Sequence, residues 1–220
     1  MVSERQSGGS QWLCYVALPL GILALVVALR LFVLLPFRVQ TRAIEPKLRE
    51  GAWAFALQGK TPRIGDIVLF EIAKVTGNKE RQMRAVARVV ALPGDSVELR
   101  DGVLWVNAHP QRDYRLRRTH ESYALRLPRE GGVYPISPLS LVAYRTALIE
   151  EERLGLVRDS KEHLGTNPTT WIEALRRNPY RTFYRDYYWV LADDPSEAPD
   201  SRHLGIIPSD AIEGIIFFSF

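Results

Sequence analysis

Cysteine is almost absent from this chain: Cys14 is the only one in 220 residues. No second thiol exists, so an intrachain disulfide framework is excluded. Histidine is scarce too. His109, His120, His163 and His203 stand far apart, without the close spacing a metal centre needs, and read as surface or loop residues. No metal and no cofactor is expected. Neither sign of charge accumulates. Lys and Arg number 29 against 25 Asp and Glu, and the basic residues are scattered rather than clustered. Such scatter reads as a solvated surface, with a mild attraction for anionic headgroups as the other option. There is no helix-turn-helix, no zinc-ligand spacing and no aromatic RNA-binding box, so nucleic acid is not an expected partner. Repeats and low-complexity tracts are missing as well. What remains, at 46% apolar residues, suits one globular domain with room for a small insert.

One stretch departs from this even texture. Residues 12–29, WLCYVALPLGILALVVAL, are uncharged and apolar, close to the minimum that spans a hydrocarbon core as a helix. Arg30 interrupts the run, but LFVLLPF follows, and an arginine there snorkels to the headgroups. Trp12 and Tyr15 suit the opposite interface, and Pro19 is tolerated in a membrane helix. A cleaved leader would need a small-residue site after the apolar core, and none follows. A buried soluble helix would carry a polar stripe, and none is seen. The reading is therefore a membrane helix over 12–35, Cys14 included, behind a polar, disordered segment 1–11.

Beyond the anchor the pattern is one of short strands punctuated by Gly, Pro and Asp. Alternation and β-branched residues mark strands over 64–72, 85–92, 96–99, 103–106, 187–191 and 211–220. Asp101-Gly102 favours the positive φ angles of a tight hairpin turn. Residues 137–178 differ, with helical spacing and cap candidates, and read as a helical insert. The fold class expected is mainly β, a barrel or sandwich core over 36–220.

Four segments, in order, carry a resemblance. RLFVLLPFRVQTRAIEPKL supplies Arg30, Phe32, Pro36, Phe37, Pro46 and Leu48, with Ile44 and Glu45 between. Gly65-Asp66-Ile67-Val68 is the second. AVARVVALPGDSVELRDGVLWVN supplies Arg88, Pro93, Gly94, Asp95 and the residues to Asn107. YYWVLADDPSEAPDSRHLGIIP supplies Asp193, Asp200, Ser201 and Arg202. Together they resemble the bacterial type I signal peptidases, a serine–lysine peptidase family. The resemblance implies a signal-peptidase-like antiparallel β core behind one N-terminal transmembrane helix. It also implies a bacterial inner membrane location, single-pass, with the C-terminal domain outside the cytoplasm. Positive charges alone argue the reverse: Arg30, Arg38, Arg42, Lys47 and Arg49 follow the helix, and only Arg5 precedes it. That rule biases orientation, whereas long domains cross regardless of charge, so the resemblance is followed.

In that family the nucleophile and general base are a serine and a lysine. Here those positions hold Ala43 and Ala87. A hydroxyl attacks only when a base takes its proton, and lysine serves only when burial lowers its pKa. Alanine offers neither group, so no catalytic residue is assigned. Thr41 would share a face with Ala43 if both lay on a strand; Arg88 stays protonated and cannot act as the base. Other positions depart from the family as well: Ala192, Asp194, Pro195 and Ala198 replace its Gly, Asn, Arg and Ser. Arg42 places a bulky cation beside the old nucleophile, where it would narrow the small apolar pockets. Arg88 suits a pair with Asp193, and Asp200 with Arg202; a solvated charge is the alternative for each.

The resemblance thus implies a membrane-anchored, non-catalytic binding protein or complex subunit. Its implied partners are membrane lipid, signal-peptide segments of preproteins and other membrane-complex subunits. The alternative is a signal peptidase that cleaves preproteins, with the alanines engineered or the chemistry relocated.

Overall fold

The computed structural model describes the backbone of residues 8–76, 79–115, 123–158, 164, 168–194 and 199–219. Of the segment expected to be disordered, residues 1–7 lie outside that set and 8–11 already belong to the first helix. This helix, α1 (Gly8–Phe32), carries Pro19 inside it. Its described side chains, 15–27, are exposed throughout, with Tyr15, Leu18 and Leu25 more than 60% accessible. The side chains of Cys14 and Arg30 lie outside the described residues. Among the described residues, no helix is long and apolar enough to cross a membrane.

The helix stops short of residue 35. Leu34–Arg38 is instead strand β1, paired antiparallel with β2 (Trp53–Leu57). Pro36 explains the change: it lacks an N–H and disfavours helical backbone at the residue before it, yet it is tolerated on an edge strand. The strand lies at the edge of the main sheet.

That sheet also takes in β3 (Ile67–Thr76), β4 (Lys79–Ala91), β11 (Tyr187–Leu191), β12 (Ile207–Pro208) and β13 (Ile212–Ser219). Its order is β1-β2-β13-β3-β4-β11-β12, with all described pairings antiparallel. This order has two ends among the described residues, so the sheet is open where a closed barrel was one expectation. A second sheet combines β5 (Ser96–Arg100), β6 (Val103–Val106), β7 (His109–Arg115) and β8 (Tyr123–Arg126). The β5–β6 turn has Asp101 at φ 52° and Gly102 at φ 75°, the positive pair that a two-residue hairpin requires. Strands β9 (Val133–Pro135) and β10 (Tyr180–Thr182) form a small ribbon.

Among the described residues, three further α-helices, α2 (Pro138–Arg153), α3 (Pro168–Arg177) and the short α4 (Ser201–Leu204), and one 3-10 turn at Ser209–Ala211 complete the fold. Ser137 caps α2 reciprocally with Ser140, and Pro138 occupies the first turn, where its missing N–H costs nothing.

Alternation along β3 and β4 divides the core. Leu69 and Val86 face one cluster with Phe37, Val39, Ala43, Ile44 and Ala192. Val68, Phe70, Ala85, Ala87 and Val89 face the opposite cluster with Tyr188 and Val190. A third and larger cluster lies between the second sheet, β11 and α2, and is filled by Trp189, Tyr187, Phe183 and Tyr144.

Candidate functional site

The segment around Ala43 is a turn rather than a strand. Glu45 N donates to Arg42 O at 3.1 Å and Leu48 N to Ile44 O at 3.1 Å. Local hydrogen bonds of this kind wind the chain, so Thr41 and Ala43 do not share a strand face. Ala43 and Ile44 have no exposed surface and Leu48 almost none, while Glu45 and Pro46 point outward. Arg42 turns away from the interior: its Nε reaches Glu50 Oε2 at 3.0 Å, and both side chains are at least half exposed. It therefore does not narrow an apolar pocket, because a guanidinium gains more from water and a carboxylate than from a desolvated niche.

Two backbone donors fasten the carbonyl of Ala43. Asp193 N lies 2.8 Å from it and Asp194 N 3.2 Å. The Asp193 carboxylate in turn accepts a bidentate pair from Arg88, Nε to Oδ1 at 3.1 Å and Nη2 to Oδ2 at 2.7 Å. Arg88 Nη1 also donates to Gly65 O at 3.3 Å. A fork-shaped guanidinium is suited to this, since it satisfies a planar carboxylate and still has a donor left over. The Gly65 turn is itself closed by Asp66, whose Oδ2 accepts from Arg63 N at 2.8 Å, and Gly65 takes φ 90°. One arginine thus joins β4, the 63–66 turn, the 193–194 segment and, through it, Ala43.

A second group of side chains holds the edge of β11. Ser201 Oγ accepts from Val190 N at 2.9 Å, and Asp200 Oδ2 accepts from Ala192 N at 2.9 Å. Arg202 Nη2 donates to Ala192 O at 3.1 Å and closes a short ion pair with Asp200. Strand β12 pairs only with Tyr187 and Tyr188, so Asp200, Ser201 and Arg202 continue its work in side-chain form. They satisfy backbone groups that would otherwise be buried without partners. Their hold on the Ala192 backbone was not read from sequence; the Asp-Ser-Arg triplet showed a pair of charges but not its target.

Pro93, Gly94 and Asp95 lie apart from these two groups, at the turn between β4 and β5. Asp95 accepts from Leu92 N at 2.8 Å and from Asn107 Nδ2 at 2.9 Å. This turn is scaffold: it sets the second sheet against the first.

The two alanines do not meet in one cluster. Both are wholly buried, but Ala43 packs with Val86 and Leu69 and Ala87 with Val68 and Phe70, on opposite faces of β3 and β4. Among the described residues no group of His, Cys, Asp and Glu could hold a metal ion. His109 and His203 are exposed; His120, His163, Pro195 and Ala198 lie outside the described residues.

A family model described as "Signal peptidase, peptidase S26" matches residues 12–220. The signal peptidase I of Bacillus licheniformis is 34% identical over 89 residues, 39% of this chain. That alignment spans 46% of the relative's own length, less than half of it. The signal peptidase I P of Bacillus subtilis subsp. natto is 23% identical over 211 residues, covering 90% of this chain and 86% of that protein. Among solved structures, a signal peptidase I from Enterococcus faecalis V583 aligns at 20% identity and a TM-score of 0.31, over 72% of this chain and 98% of that one.

Proposed function

The chain belongs to the signal peptidase family, peptidase S26, and we propose that it is a member without peptidase chemistry. It is held in a bacterial inner membrane by α1, with its β domain outside the cytoplasm, and serves as a binding protein or complex subunit. One observation carries this reading. The positions that resemble the family's nucleophile and base are Ala43 and Ala87, wholly buried in separate apolar clusters. Neither side chain can attack a carbonyl or take a proton. Beside Ala43, two of the charged pairs are Arg42 with Glu50 and Arg88 with Asp193.

Binding survives such a loss more readily than cleavage does. An extended segment adds to a sheet edge through backbone hydrogen bonds, which need no dyad. Strand β1 stands at one edge of the main sheet, beside the Ala43 turn. The anchoring role of α1 is supported by the apolar side chains that it exposes along its described length.

The test is a cleavage assay on a preprotein in detergent, with this protein and its Ala43→Ser/Ala87→Lys variant. The expected outcome is an uncut preprotein with the protein as it stands. Cleavage by the unaltered chain overturns the reading. Cleavage by the variant alone locates the loss in the dyad and favours signal-peptide segments as the ligand; no cleavage by either favours a membrane-complex partner.

A further inference from the structure

Strands β2 and β3 both run antiparallel to β13, which lies between them. They therefore point the same way, and residues 58–66 must cross the sheet to join them. A cleft of about 800 Å³ opens beneath this crossover. Its floor is apolar, from Leu57 and Ile215, and its rim carries Lys60, Arg63, Asp66 and Phe217.

The charges on the rim are unbalanced. Lys60 and Arg63 are exposed, and among the described residues neither side chain has an ion-pair or hydrogen-bond partner. Among the described residues, Asp66 is the one acid lining the cleft, and its Oδ2 accepts from Arg63 N at 2.8 Å. Two cations thus face a concave apolar space with a single, engaged carboxylate. Apolar side chains flank them: Ile64 is 60% exposed and Phe217 59%. Cations beside exposed apolar groups match an interface where phosphate sits above hydrocarbon.

The location agrees. Gln58 N, just before the crossover, donates to Val33 O at 3.0 Å, one residue beyond α1. The chain therefore enters the domain at the cleft's own end. If α1 lies in a bilayer, the headgroup layer is the nearest source of phosphate to Lys60.

We propose that the cleft beneath the 58–66 crossover receives the phosphate headgroup of an anionic phospholipid. Lys60 and Arg63 pair with the phosphate, and Ile64 and Phe217 reach the acyl boundary. This rests on the membrane reading of α1 given above.

The experiment uses the full chain in neutral-detergent micelles doped with phosphatidylglycerol or phosphatidylcholine, with retained lipid counted by native mass spectrometry. Phosphatidylglycerol should be retained in preference. With each basic residue near a surface contributing its usual attraction, Lys60→Gln/Arg63→Gln should weaken that preference by about 30-fold. The Lys60→Arg/Arg63→Lys exchange should keep it. Equal retention of the two lipids overturns the proposal, as does a preference unmoved by the Gln pair. Displacement of the lipid by inorganic phosphate or glycerol phosphate at equal concentration also overturns it, marking a site for soluble phosphate. Alkaline extraction of bilayers tests α1 separately. Release of the protein there sinks the anchor, whereas retention without headgroup preference sinks the cleft alone.

Discussion

Asp200 has no solvent exposure, and a carboxylate in that setting is tolerable only with its oxygens occupied. Ala192 N, Arg202 N and the Arg202 guanidinium occupy them. Asp200→Ala would leave the Arg202 guanidinium, itself only 13% exposed, facing a void, and the Ala192 N–H without its acceptor. Removing one partner of a buried pair costs about 3–5 kcal/mol. Arg42→Ala removes an ion pair too, but one in water, worth at most about 1 kcal/mol. Urea denaturation of the two variants should therefore separate them by several kcal/mol. Equal losses would mean that the Asp200 pair is not holding the β11 edge.

At the scale of elements, α2 packs on the second sheet through apolar side chains and is hydrogen-bonded to it by one phenol. Tyr144 Oη donates to Arg126 O at 2.6 Å and accepts from Arg126 N at 3.1 Å, and burial pushes its pKa up to about 12. Tyr144→Phe keeps the ring's packing against Phe183 but orphans both backbone groups of Arg126, at a cost of about 1–3 kcal/mol. A urea midpoint unchanged from the unaltered protein would show that water replaces the phenol. Sequence made some of these elements easy to read. Ser137-Pro138 signals a helix start by local chemistry, and Asp101-Gly102 signals a turn by the φ angles it permits. Strand β1 was hidden because LFVLLPF continues an apolar run, and its true partner, β2, lies a turn and a loop away. The candidate site divides in the same manner. The identities at Ala43 and Ala87 and the matched charges were legible. The winding of residues 43–48, the outward turn of Arg42 and the hold on Ala192 rest on contacts three to ten residues apart that no periodicity marks, and the fastening of the Ala43 carbonyl rests on Asp193, 150 residues away.

Across the whole molecule, a buried acid couples the insert to the main sheet. Glu151, on α2, is 1% exposed. It accepts from Tyr187 Oη at 2.8 Å and from Tyr184 N at 3.0 Å. Arg185 Nε approaches it at 3.8 Å, while the same guanidinium reaches Glu150 and Asp210 at 3.4 and 3.2 Å. One cluster thereby ties α2, the entry to β11 and the turn before β13. Burial raises the Glu151 pKa above its ordinary value, outweighing the hydrogen bonds that would lower it. A carboxyl whose folded pKa exceeds its unfolded one binds protons more tightly when folded. Its contribution to stability is thus fully present below the unfolded pKa and is lost as pH rises through the folded pKa. Glutamine resembles the protonated form and keeps an acceptor for Tyr187. The thermal midpoint of Glu151→Gln, relative to the unaltered protein, should therefore rise as the pH climbs from below the ordinary glutamate pKa to neutrality. If the difference instead falls with rising pH, the ionised carboxylate and its pairing with Arg185 are stabilising, and the desolvation argument fails.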